Sequence, residues 1–416
     1  MVVDEPTGVP DTAGSGPSGR PATAGTDSVA PPTVAAGDAA ARVAPDAGSA
    51  EEPYRFRLGN RPPLTGIRAL ALFTVLTYHS NFKTLPGTWA AIQVFFVLSG
   101  FLITAMLAGE GMRNGRISLK GFYARRAVRL VPPLLLTVAL LGIYASFVHV
   151  ANASQRVWGD SLAAMFYYAD YRQAFLHAPF FGYLAQTWSL SIEEQFYVIW
   201  SILMVVAVAT HHRRLAYGFA VAGLALSTAD RLWQVYSAQH FYTPANVAFT
   251  RVYYAFDTRA DALFVGCLLG LLAADGHLHR WRPWAIRALT AAAVASTVFL
   301  VWILLYAPLF TENLVVWWLP LTTVASAVVI VYFVMRPEAI GSRLVGLGVL
   351  VFIGDLSYTV YLVHFPVYLA IGPAGTGWGF WPTELVRLAI IFAIAIASWF
   401  CIEKPLMRWR QRSAAR

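Results

Sequence analysis

Apolar residues run through most of this chain in long blocks. Ten of them, at 64–81, 88–108, 129–150, 190–209, 215–231, 257–273, 285–306, 315–335, 348–370 and 385–402, are separated by shorter polar segments. A block of roughly 20 apolar residues in helical form spans about 30 Å, the thickness of bilayer hydrocarbon. Backbone groups in lipid must hydrogen-bond within their own segment, which leaves helices or a closed barrel. Alternating segments of about ten residues, the mark of a barrel, are absent. The pattern therefore predicts an all-α fold, a polytopic transmembrane bundle of about ten helices.

Residues 1–53 differ from the rest. They consist mainly of Ala, Gly, Pro, Ser, Thr and Asp, too few large apolar residues to offset the entropy of ordering. They are expected to form a disordered cytoplasmic N-terminal tail. With no basic segment leading into an apolar core, they do not resemble a secretory signal. The transmembrane domain then covers 54–410, and 411–416 form a short basic C-terminal tail.

Composition excludes a soluble protein: 57% of the 416 residues are hydrophobic and 13% are charged, about half the usual charged share. The net charge of +9 sits largely in loops between apolar blocks, a topological signal rather than a nucleic-acid surface. Arg113, Arg116, Lys120, Arg125 and Arg126 lie in one such loop. Arg213 and Arg214, Arg280 and Arg282, and Arg336 and Arg343 lie in three alternate ones. With ten spans, these loops and the basic C-terminus share one side. A bacterial-type inner (plasma) membrane, with both termini cytoplasmic, is the expected setting. Two long aromatic-rich loops, 151–189 and 232–256, fall on the other side, as an acceptor site or an interfacial aromatic belt. Cys267 and Cys401 lie in apolar blocks without metal-ligand spacing, and no metal site is expected.

Ionisable residues inside apolar spans are costly and mark sites. Arg68 and His79 are eleven positions apart, which puts them on one helical face, within about 20° and roughly 16 Å along the axis. His79 has the side chain best suited to take and return a proton near neutrality. At 121–135, GFYARRAVRLVPPLL places Arg125, Arg126 and Arg129 at the start of a span, suited to the phosphates of coenzyme A or to simple anchoring. At 186–200, QTWSLSIEEQFYVIW opens a span with Glu193 and Glu194. Either carboxylate is a candidate to orient His79, or else a favourable acid near a helix N-terminus. Arg259 and Asp261, two residues apart, cannot share a helical face and need separate partners. His364, beside Pro366, reads as structural.

Together, Arg68 and His79 at this spacing, FFVLSGFLIT, FYARRAVRLVPPL, WSLSIEEQFY, DTRADALFVGCLLG, GDLSYTVYLVHFPV and the closing IEKP resemble the acyltransferase 3 family over about 55–410. The resemblance implies an integral membrane O-acyltransferase with acyl-CoA as co-substrate and no permanently bound cofactor. Its acceptor would be a hydroxyl of a carbohydrate, a cell-envelope component or a macrolide. By the same resemblance, His79 and Arg68 match catalytic positions, and Glu193 or Glu194 the acid after the tryptophan–serine pair. Arg125, Arg126 and Arg129 match the basic motif, and Trp188, Ser189 and Arg259 are expected to touch substrate. One departure stands at 92–94, where the chain reads Ile-Gln-Val and many relatives have Gly-Val-Asp before the phenylalanines; Gln93 is neutral, so this chain offers no acid there. The rival expectations are a transporter or acyl-group carrier built on the same residues, and an acyltransferase of the other membrane-bound type.

Overall fold

The computed structural model describes residues 59, 61–80, 85–147, 153–175, 182–237, 247–309, 311, 313–372 and 377–414. The chain divides into two units, Met1–Glu52 and Pro53–Arg416. The first unit, and with it nearly all of the expected N-terminal tail, lies outside the described residues. The helices all belong to the second.

Every expected span falls largely on helix where its residues are described; 81 and 148–150 lie outside the described residues. In chain order the helices are α1 (Pro62–His79), α2 (Ala90–Asn114), α3 (Leu119–Phe147), α4 (Ala153–Met165), α5 (Ala169–Ala174), α6 (Trp188–Ala209), α7 (Arg213–Ser237) and α8 (Val247–Tyr254). They continue as α9 (Phe256–Arg259), α10 (Asp261–Ala274), α11 (Pro283–Tyr306), α12 (Leu319–Met335), α13 (Ile340–Val345), α14 (Gly348–Ala370), α15 (Phe380–Ser398) and α16 (Lys404–Ala414). No strand occurs among the described residues. Helix α16 runs on through 411–414, so most of the expected C-terminal tail belongs to it.

Seven helices are long and apolar enough to cross a membrane on their own: α2, α3, α6, α11, α12, α14 and α15. The chain is thus a multi-pass membrane protein. The other three expected spans are helical but either less apolar, as in α1 and α7, or too short, as in α10. Helix α1 carries Arg68 and His79, and α7 carries Arg213, Arg214, Asp230 and Arg231. The block at 257–273 is not one helix, because the chain breaks at Ala260 between α9 and the 14-residue α10. The break serves its charges. Arg231 of α7 pairs with Asp261 deep in the core, while Arg259 turns toward Gln93 of α2.

Helix α2 is apolar on all sides and buried along most of its length, the signature of a central helix. It lies against α10 at very close range. A Cβ built on Gly266 would stand 2.2 Å from the Val97 carbonyl oxygen, and one on Gly100 2.0 Å from that of Leu263. Only glycine lets these backbones touch, the small-residue logic of packing in lipid. The crossing of α1 with α14 uses the same device, with Gly354 against the Thr65 carbonyl oxygen. Around this centre, α3, α11 and α15 turn apolar side chains such as Ile143, Val298 and Leu385 outward. For a soluble protein such surfaces would be a liability, whereas here they are the lipid-facing side.

The segment between α3 and α6 folds back onto the bundle. Tyr167, between α4 and α5, has a left-handed backbone with φ of 52°. The Gln195 amide holds that turn, donating to the Tyr167 carbonyl oxygen at 2.8 Å and to Asp170 Oδ1 at 2.9 Å. A strained non-glycine residue needs such over-determination by its surroundings.

Candidate active site

Helices α1, α2, α3, α6 and α14 enclose a cavity of about 640 Å³, and the Tyr167 turn closes part of its wall. Its lining is mainly apolar, from residues such as Ile92, Phe95, Leu102 and Leu130. Charge enters it from Arg68 on α1, Arg113 on α2, Arg126 and Arg129 on α3, and Glu193 and Glu194 on α6.

These charges are not equivalent. Arg126 forms an ion pair with Glu194, and its guanidinium lies over the Tyr197 ring at 3.8 Å from the centroid. Glu193 accepts a hydrogen bond of 2.8 Å from Ser99. Arg68 and Arg129, by contrast, have no hydrogen bond or ion pair among the described residues. Glu193 and Asp355 act on Arg68, and Asp355 and Glu403 on Arg129, through space only. Glu403 is occupied elsewhere: a π-helical turn at Trp399–Glu403 buries its carboxylate, and Thr359 and Ser398 donate to it at 2.8 Å each. Two cations with no direct partner among the described residues, in a mostly apolar cavity, leave positive charge available to an anion.

Tyr361 and Ser189 line the same cavity. The Tyr361 hydroxyl donates to the Gln186 carbonyl oxygen at 2.6 Å, so Ser189 must be the donor in its 2.7 Å contact with Tyr361. One helical turn beyond Tyr361 stands His364, fully buried, with Nε2 at 3.1 Å from Nδ1 of His79. His79 Nδ1 is also 3.0 Å from the Val75 carbonyl oxygen, and the Phe365 ring packs edge-on against its ring at 4.9 Å. Behind the wall, Trp188 packs on Tyr253 and Tyr254. Arg259 lies near Trp188, Phe96 and Tyr253 and donates to Gln93 Oε1 at 2.8 Å. Its Nε and Nη1 have no hydrogen-bond partner among the described residues.

The fold therefore gathers Arg68, Arg126, Arg129, Ser189, Glu193 and Glu194 around one cavity. Arg125 is not among them. It points away, 43% exposed, and pairs with Glu110 at 3.1 Å, because neighbouring positions on a helix diverge by about 100°. Among the described residues neither Glu193 nor Glu194 hydrogen-bonds to His79. Both carboxylates are engaged by Ser99 and Arg126, and the imidazole meets His364 instead. His79, Trp188 and Arg259 are not part of the cavity lining. Sequence reasoning read His364 as structural and did not single out Tyr361. The rule that flagged His79, an ionisable group within an apolar span, applied equally to His364. No cluster of three or more metal-ligating side chains occurs among the described residues.

An all-helical membrane bundle enclosing a partly unpaired arginine site defines the class of protein. Comparison with known proteins sharpens it. An acyltransferase domain model, that of the acyltransferase 3 family, matches residues 63–403, and the chain belongs to that family. It is 30% identical over 361 residues to the peptidoglycan O-acetyltransferase OatA of Listeria monocytogenes, covering 83% of this chain and 56% of that protein. It is 31% identical over 320 residues to a "putative O-acetyltransferase" of Staphylococcus aureus, covering 74% and 50%. With the "putative peptidoglycan O-acetyltransferase" YrhL of Bacillus subtilis it shares 29% identity over 379 residues, covering 85% and 56%. The chain thus spans about half the length of the curated relatives it matches. No solved structure matches it.

Proposed function

We propose that this protein is a plasma-membrane O-acyltransferase that moves an acyl group, acetyl in the first instance, from acyl-CoA to a hydroxyl of a cell-envelope glycan. The observation that carries this is the cavity in which Arg68 and Arg129 stand with no direct partner among the described residues, within a chain of an acyltransferase family. The names of the relatives favour a peptidoglycan-type acceptor over a macrolide.

In this mechanism Arg68 and Arg129, with Arg113, hold the phosphates of the donor, and the apolar lining receives its acyl-bearing arm. Arg126 and Glu194 are already paired and shape the wall rather than binding the donor. His79 acts as general base. It removes the acceptor's hydroxyl proton as the oxygen attacks the thioester carbonyl carbon, then returns a proton to the departing thiolate. Tyr361 and Ser189 connect the cavity to the histidines, while Trp188 and Arg259 support that wall. Basic loops on one side favour cytoplasmic termini, on the side where the donor is made.

The test is release of free thiol from acetyl-CoA by the full chain in detergent, with soluble peptidoglycan fragments as acceptor. His79→Ala should lower turnover at least 100-fold while donor binding, read by thermal shift, persists. Arg129→Gln should raise the KM for acetyl-CoA about tenfold or more, the loss of a charge-assisted contact. A well-folded, fully active His79→Ala protein removes His79 from the chemistry. Donor binding with no thiol release for any hydroxyl acceptor would favour a carrier over an enzyme.

A further inference from the structure

We propose that His364 is the positioning residue for His79: it accepts the Nδ1 proton of His79 and so holds the tautomer in which Nε2 is free to act as base. This role deepens the preceding assignment and rests on His79 being the base.

Hydrogen-bond geometry assigns every proton in the pair. His364 Nδ1 lies 2.7 Å from the Tyr361 carbonyl oxygen, three residues back on α14. A carbonyl only accepts, so Nδ1 of His364 carries a proton and, in the neutral ring, Nε2 carries the lone pair. That lone pair faces His79 Nδ1 at 3.1 Å. His79 Nδ1 also faces the Val75 carbonyl oxygen at 3.0 Å, again an acceptor only. For two neutral rings the consistent arrangement puts a proton on His79 Nδ1, shared between Val75 and His364, and leaves His79 Nε2 unprotonated. One backbone carbonyl thus sets the state of His364, and His364 helps to set the state of His79.

Two further features fit. The rings of Tyr361, Phe365 and Tyr368 surround His364, which is fully buried and fixed in orientation. Among the described residues no carboxylate hydrogen-bonds to either imidazole, so the orienting task that an aspartate performs in a serine–histidine–aspartate site falls to a neutral ring. During transfer the acceptor's proton moves to His79 Nε2 while the new carbon–oxygen bond forms and the carbon–sulfur bond of the thioester breaks. The Nδ1 proton stays between the rings and stabilises the transient imidazolium. The Nε2 proton then goes to the thiolate, and both rings return to their starting state.

Three full-length variants in detergent test this by thiol release: His364→Leu, His364→Gln and His79→Ala. His364→Leu should lose about 100-fold in kcat, in the range of second-sphere and tautomer effects, with the KM for acetyl-CoA within about twofold of wild type. His364→Gln, whose amide oxygen reaches a similar position, should recover at least tenfold of that loss. Nitrogen-15 spectra of histidine-labelled wild-type protein, with the His79 signals assigned by their loss in His79→Ala, should show the proton on Nδ1. This reading needs neither turnover nor a folded His364 variant. The proposal is overturned if His79 carries its proton on Nε2, if His364→Leu keeps kcat within threefold, or if Gln restores no more than Leu. An active His79→Ala protein defeats the base assignment and this proposal together. An inactive His79→Ala beside an active His364→Leu defeats this one alone.

Discussion

Replacing Arg68 or Arg129 by methionine should make the folded protein more stable, and the same change at Arg126 should make it less stable. Arg68 and Arg129 reach the cavity with no direct partner among the described residues, so each is a cation held in largely apolar surroundings. Methionine keeps most of the volume and discards the charge. Exchanging buried ions for apolar groups of similar size can gain about 1–4 kcal/mol, and the cavity's own opening to solvent argues for the lower part, about 1–2 kcal/mol. At about 2 °C per kcal/mol for a chain of this size the melting temperature should rise about 2–4 °C. Arg126 is the internal control. Its loss strands the Glu194 carboxylate, and since the two side chains keep 22% and 18% of their exposure the cost is about 2–3 kcal/mol, below the full value for a buried pair. The assay is the tryptophan-fluorescence melt of each variant in one detergent, with and without acetyl-CoA. A saturating donor should stabilise wild type by about 2.7 kcal/mol at a hundred times its Kd, and at the same concentration the Arg68→Met and Arg129→Met proteins, binding it about tenfold more weakly, by only about 1.4 kcal/mol. If all three variants fall together, Arg68 and Arg129 are structural members of the Glu193 and Asp355 field, and the anion site is wrongly placed.

Two other outcomes follow from particular contacts. Gly266→Ala sets a methyl 2.2 Å from the Val97 carbonyl oxygen, so α2 and α10 must separate, and the melting temperature should fall by the equivalent of about 1–3 kcal/mol; an unchanged melt would mean the crossing is slack. Asp170, in the segment between α3 and α6, is pushed up to about 7 by burial, against the opposing pull of the Gln195 hydrogen bond. Between about pH 4 and 7 the folded chain therefore binds more protons at this site than the unfolded chain, and its contribution to stability falls as pH rises. Melting temperature should decline from pH 5 to pH 8, less steeply in Asp170→Asn; equal slopes in both proteins would assign the titration to another group.

The sequence alone determined that this chain lives in lipid as helices, because a long apolar block must satisfy its own backbone and can do so only locally. It also determined the kinds of chemistry available: the family motifs singled out Arg68, His79, Arg129 and the paired glutamates before any geometry was known. It did not determine which of them meet. Arg125, Arg126 and Arg129 are indistinguishable as residue types, yet the rolled position of α3 sends the first to Glu110, pairs the second with Glu194 and leaves the third open to the cavity. The break at Ala260, which separates Arg259 from Asp261, answers to Arg231 and Gln93 on other helices and has no local cause in an apolar block. His79 and His364 lie 285 positions apart and meet because glycine contacts bring α1 onto α14. Helix formation is a local property of composition, whereas partner choice depends on how helices rotate and cross, and that is decided only when the whole bundle packs.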